Sequence, residues 1–140
     1  MKTLFTVLAS FALAGFLTLA GCATTGPAQV SYTGGVLVNS AGMTLYTFDK
    51  DPVASGKSVC NGQCATNWPP LRAGADDKAG GGFTIVARDD GSKQWAHKGK
   101  PLYLWIKDSK PGDKTGDGVG KVWWVVKGEA GQAQPKGEGY

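Results

Sequence analysis

Gly42-Met43-Thr44-Leu45-Tyr46-Thr47-Phe48-Asp49-Lys50-Asp51 returns 57 residues later as Gly99-Lys100-Pro101-Leu102-Tyr103-Leu104-Trp105-Ile106-Lys107-Asp108. Five of the ten positions are identical, a sixth stays aromatic, and no gap is needed. A repeat of this length is one supersecondary unit used twice. Two copies are too few for an open solenoid, so they should pack on each other. Side chains alternate along a strand, so Tyr46 shares a face with Phe48, and Tyr103 with Trp105. Leu45 and Thr47 take the opposite face. Asp51 and Asp108 fall just past the strand ends, where a carboxylate accepts backbone N–H bonds in a turn. These six residues are either core aromatics with turn caps, or a ligand groove lined by Tyr and Trp with an Asp at its mouth.

Outward from the repeat, short apolar or β-branched runs alternate with turn signals. Residues 35–38 and 44–48 flank Asn39-Ser40-Ala41-Gly42, a hairpin pattern. Phe83–Ala87 precedes the turn Asp89-Asp90-Gly91-Ser92. Lys93–Ala96 and Leu102–Ile106 flank His97–Pro101, and Val122–Val126 is the last strand. No long 3.6-residue period occurs after the N-terminal region. One short helix fits Gly62–Asn67, with Asn61 as N-cap and Trp68-Pro69-Pro70 as its stop. Twenty-two glycines and strands this short predict an all-β fold. The expected architecture is a compact domain of two related β units, with at most one short helix near the Cys60/Cys64 pair.

The N-terminus has the parts of a secretory signal: Lys2, an apolar run from Leu4 to about Leu19, and a small-residue site at Leu19-Ala20-Gly21-Cys22. The run is about 16 residues, short of the roughly 20 that cross a bilayer. A cysteine at the cut makes the site resemble the bacterial lipobox, which implies cleavage after residue 21 and acylation of Cys22. Two or three acyl chains anchor firmly, at about 0.8 kcal/mol per buried CH₂. The expected organisation is a signal peptide at 1–21, a polar tether at 22–32, a folded domain at 33–127 and a tail at 128–140. The formal net charge of +4 falls to +3 once Lys2 is removed. The charges are scattered without a basic stripe, so nucleic acid is not an expected partner.

With Cys22 acylated, Cys60 and Cys64 remain. In an oxidising compartment such a pair is usually a disulfide, and an i, i+4 spacing on a helical turn allows it. The alternative is a copper or thiol-redox pair, with His97 and Met43 as further donors. His97 is the single histidine, so a multi-His metal site within one chain is excluded; it falls in a predicted turn and reads as a solvated side chain. No nucleophile elbow is present, and Asp113–Gly118 lacks the EF-hand pattern. Trp123 and Trp124 are strand neighbours and cannot both enter one core.

Tyr46-x-Phe48-x-x-Asp51 and Tyr103-x-Trp105-x-x-Asp108 resemble the Y-x-[FWY]-x-x-D motif of the bacterial secreted-repeat lipoproteins. Cys60-Asn61-Gly62-Gln63-Cys64-Ala65, Trp68-Pro69-Pro70-Leu71, Arg88-Asp89-Asp90-Gly91 and Gly116–Trp124 fit the same family in order and spacing. His97 departs from it, standing where an aromatic residue is expected. The resemblance brings no established activity with it. It implies a lipid-anchored extracytoplasmic protein; Ala23 after Cys22 resembles lipoproteins sorted outward, so the expected place is the outer membrane facing the periplasm if the cell has two membranes. The expected role is a non-enzymatic binding or structural module of the cell envelope, without cofactor, whose partners are the bilayer through Cys22 and an envelope protein or small ligand. The alternative is a periplasmic copper-binding or thiol-redox accessory.

Overall fold

A computed structural model describes Pro27 and residues 30–128. The residues expected to form a signal peptide, Cys22 and residues 129–140 lie outside the described residues. The described chain is mostly strands, in three small sheets, none of which closes into a barrel. Strands β1 (Val30–Thr33) and β2 (Val36–Asn39) form an antiparallel pair. Strand β3 (Tyr46–Phe48) pairs with β7 (Trp123–Val125), and β4 (Phe83–Ala87), β5 (Lys93–His97) and β6 (Lys100–Pro101) form the third sheet. One five-residue helix, α1 (Gln63–Asn67), sits beside the cysteine pair.

Local chemistry fixes these elements. Thr33 pairs with Val36 across Gly34-Gly35, and His97 with Lys100 across Lys98-Gly99. All four loop residues have positive φ, as a two-residue type I′ hairpin requires. β1 takes in residues that the tether was expected to hold, because Val30 and Tyr32 pack on a core cluster with Leu37. Helix α1 is capped at Gly62, not Asn61, and without a side-chain bond. The Asn61 amide is used elsewhere: its Nδ2 donates to Asp89 at 2.9 Å and its Oδ1 accepts from Arg88 at 3.3 Å.

The two repeats are related by an approximate two-fold axis between Tyr46 and Tyr103, whose backbones exchange N–H···O bonds of 2.8 and 2.9 Å. Around it the hydrogen bonds recur in pairs. Leu37 N–H donates to Val126 O and Trp95 N–H to Leu71 O, each at 2.8 Å. Val126 N–H donates to Leu45 O and Leu71 N–H to Leu102 O. Asp49 N–H reaches Val122 O as Ile106 N–H reaches Asn67 O. Trp68-Pro69-Pro70-Leu71 is thus the counterpart of Trp123-Trp124-Val125-Val126, and each segment lies along the opposite repeat. The bonding groups of the first are the Pro69 carbonyl and both backbone groups of Leu71, so neither missing proline N–H is called on.

The alternation within each motif separates two cores. Tyr46, Phe48, Trp68, Tyr103 and Trp123 pack on one side. Leu37, Leu45, Trp95 and Leu102 pack on the other. Trp123 is buried while its neighbour Trp124 is 41% exposed, as strand alternation demands.

Candidate functional site

The repeated motif builds one site at the two-fold axis, and its connections cross between repeats. Tyr46 Oη donates to Asp108 at 2.6 Å, and Tyr103 Oη donates to Asp51 at 2.5 Å. Each aspartate begins a turn that holds it there: Asp51 N–H bonds to Phe48 O and Asp108 N–H to Trp105 O, both at 3.1 Å. Their second oxygens clamp the loops beyond. Asp51 Oδ1 accepts from Val59 N–H at 2.8 Å. Asp108 Oδ1 accepts from the N–H and hydroxyl of Thr115 at 3.0 and 2.6 Å. Both tyrosines are fully buried and both aspartates are buried. Burial first, then the partner carboxylate, pushes both phenols well above the usual tyrosine range. Burial likewise raises Asp51, against the opposing hydrogen bonds from Tyr103 and Val59.

Between the two locks runs a stack of four rings. Phe48 lies on Trp123 at 4.2 Å, Trp123 on Trp68 at 3.8 Å, and Trp68 on Trp105 at 3.9 Å between centroids. The order alternates between the repeats, and the Trp68–Trp123 contact sits at its centre with planes 4° apart. Tyr46 meets Trp68 edge-on and Tyr103 meets Trp123 likewise. Trp105 caps one end and is only partly buried, with Lys107 Nζ 5.6 Å from its ring centre.

The locks differ in their surroundings. Around Tyr46 the space is closed by Gly116, whose N–H approaches Tyr46 Oη at 3.3 Å. Around Tyr103 stand Ser58, the cysteine loop and Arg88. Cys60 and Cys64 form a disulfide, with Cα atoms 5.2 Å apart and Cys60 fully buried. Arg88 is buried with four acceptors: Ser58 at 3.0 Å, Gln94 at 2.7 Å, the Cys60 carbonyl at 2.6 Å and Asn61. Its Nε is buried without a partner among the described residues. Ser58 lies 2.7 Å from Tyr103 Oη. Because Tyr103 gives its proton to Asp51, and Ser58 accepts from Arg88 and from Cys60 N–H, the Ser58 hydroxyl donates to Tyr103. A polarised chain therefore joins the guanidinium to the carboxylate through two hydroxyls.

A family model described as a secreted repeat of unknown function matches residues 24–72 and 84–127. The chain belongs to the secreted-repeat family. The two matched segments are the two symmetric halves, so each half of the secreted-repeat domain is one family unit. Membership places the protein outside the cytoplasm. No curated protein and no solved structure matches the chain.

Other sites foreseen in the sequence are placed apart. His97 ends β5 and is buried, 4.6 Å from the Phe83 ring and 6.4 Å from Tyr32, which corrects its reading as a solvated turn residue. The turn starts one residue later, at Lys98. Met43 lies in the loop after β2, its N–H bonded to Asn39. Among the described residues no three His, Cys, Asp or Glu side chains converge as a metal would need, so Cys60, Cys64 and His97 do not form one ligand set. Asp113 and Asp117 are engaged within the chain, Asp113 by Ser109 and Lys110 and Asp117 by Val125 N–H. Sequence reasoning missed Ser58 and Gln94 altogether, and saw Arg88 only as a family position. The signal for Arg88 was weak: a charged residue at a strand end, which is usually solvated. Among the described residues the large apolar side chains facing outward are Val53, Val59, Ile106 and Trp124, the last with its indole N–H on Asp49 at 2.7 Å.

Proposed function

We propose that this protein is a non-enzymatic binding or structural module of the cell envelope, anchored through an acylated Cys22. The observation that carries the reading is the reciprocal Tyr–Asp locking. The side-chain oxygens of Tyr46, Asp51, Tyr103 and Asp108 are buried and spent on internal bonds. The motif therefore builds a rigid scaffold, and the contacts with an envelope protein or small ligand fall to its outer surface. Scaffolds of this kind carry function on exposed positions and loops. The Leu19–Cys22 site supports the anchor, and Ala23 after it supports outward sorting where two membranes exist.

The test is a photo-crosslinking survey of the anchored protein in cells. Probes at Val53, Ile106 or Trp124 should capture a discrete partner, with Cys22→Ala accumulating as uncleaved precursor and losing that capture. Normal processing of Cys22→Ala would remove the anchor from the reading. Turnover of a substrate by purified protein, lost in Asp51→Asn with the fold intact, would replace the scaffold with a catalyst.

A further inference from the structure

We infer that a second copy of this chain is a partner for it, through exchange of whole halves, so that residues 30–73 of one molecule complete residues 83–128 of another. The contacts that hold the domain together are contacts between its halves. They comprise the Tyr46–Tyr103 backbone pair, the β3–β7 ladder, the Leu71 and Val126 bonds, both Tyr–Asp locks and the alternating ring stack. Each is satisfied equally well when the two halves come from different chains, because none depends on the covalent connection.

That connection is the stretch from Gly74 to Gly82. Residues 74–79 are exposed, and the hydrogen bonds of the stretch are few: Gly74 N–H to Asp77 at 2.7 Å, Asp77 N–H to Gly74 O, Lys93 Nζ to Ala75 O, the Gly80–Phe83 bridge, and Lys98 N–H to Gly82 O at 2.9 Å, which stays within the second half. Opened out, nine residues span about 30 Å. An exchanged dimer thus keeps the packing of two monomers and gives up only linker contacts. The balance is set by the effective concentration of one half near the other, on the order of millimolar for a short flexible link. Exchange is a low-cost route to dimers under these conditions.

The linker also permits exchange to be forced. Ala73 N–H bonds to Lys93 O at one end of β5, and Phe83 pairs with His97 at the other. Those ends are about 13 Å apart along the strand. Deleting residues 75–81 leaves three Cα steps from Ala73 to Phe83, a reach of about 11 Å. Folding back within one chain is then closed, and exchange is the remaining route to the same packing.

Two measurements test this. In a Cys22→Ala background, Thr47→Cys with Trp124→Cys places cysteines at Cα partners of the β3–β7 ladder. The full chain is refolded over a range from about 0.01 to about 1 mM, rising to the expected effective concentration, then oxidised and run on a non-reducing denaturing gel. Covalent dimer should grow with concentration, about tenfold or more across the series. Closure within single chains at every concentration overturns the proposal. The 75–81 deletion should give a cooperatively melting dimer at micromolar concentration by light scattering. A folded monomer, or a chain that does not fold, overturns it as well.

Discussion

If the locks run between repeats, Tyr46 must be energetically coupled to Asp108 and not to Asp51, its neighbour in sequence. Asp108→Ala strands the Tyr46 hydroxyl, which is fully buried and bonded to that carboxylate at 2.6 Å. A buried donor without an acceptor costs about 1–3 kcal/mol. Thr115 is exposed and regains its bonds from water. A net loss of about 2 kcal/mol lowers Tm by roughly 8–16 °C in a domain of this size, out of a total near 5–15 kcal/mol. Tyr46→Phe removes the same bond from the other side. The double variant should therefore cost less than the sum, by about 1–2 kcal/mol, because contacting residues couple on that scale. Tyr46→Phe with Asp51→Ala should add to within about 0.5 kcal/mol. Urea unfolding of the wild type, the three single variants and the two doubles reads both cycles. Additivity across Tyr46 and Asp108, or stronger coupling of Tyr46 to Asp51, would refute reciprocal locking.

Alkaline pH should unfold the domain. Tyr46 and Tyr103 have folded-state pKa values raised by burial, so their stabilising contribution is complete below the unfolded tyrosine value near 10 and is lost above it. With both still protonated in the fold, stability falls by up to about 2.7 kcal/mol per pH unit. Tyrosinate absorbance should then rise together with loss of near-ultraviolet dichroism; ionisation of all tyrosines in a folded protein would contradict this. Trp123→Ala at the middle of the ring stack should cost about 3–5 kcal/mol. Trp105→Ala should cost visibly less, since Trp105 is only partly buried at the end of the stack, and equal losses in thermal melts would reject the stack's central role. Gly116→Ala should destabilise by about 1–3 kcal/mol, because a Cβ there meets Trp68 at 2.8 Å and Tyr46 at 2.9 Å; an unchanged Tm would show that the site relaxes freely.

The sequence made the repeat legible because identical problems recur in both copies. Face alternation followed directly, and so did the opposite fates of Trp123 and Trp124. The hairpin around Asp89-Asp90-Gly91-Ser92 was announced by its turn chemistry. What alternation cannot say is which partner a face meets. Tyr46 and Asp51 sit in one motif, yet their bonds leave it for the other copy, and no local rule encodes that. Pro69-Pro70 hid the counterpart of β7, since prolines read as a stop; here the ladder uses groups that proline retains. His97 was flagged as unusual but placed in a turn, because Lys98-Gly99 needs only two residues where a longer loop was expected.

The motif spacing now has a physical reason. Tyr at the first position and an aromatic two residues on must share a face to reach both the lock and the stack. The third residue beyond the aromatic is where the Phe48 and Trp105 carbonyls close a turn, and that turn carries the carboxylate into the interior. There it must find a donor, and the two-fold axis supplies the other repeat's tyrosine. A single unit would bury an aspartate and a tyrosine without partners, at a cost no isolated fifty-residue repeat could absorb. The pairing of units is therefore enforced by the polar groups as much as by the rings. The asymmetry between the locks follows the same logic. Where the second repeat fills the space beside Tyr46 with Gly116, the first sets Ser58 and a disulfide loop beside Tyr103. Arg88 then supplies a buried positive charge that offsets Asp51 through two hydroxyls. Two copies of one unit have thus diverged at the rim of the axis while keeping the bonds that cross it.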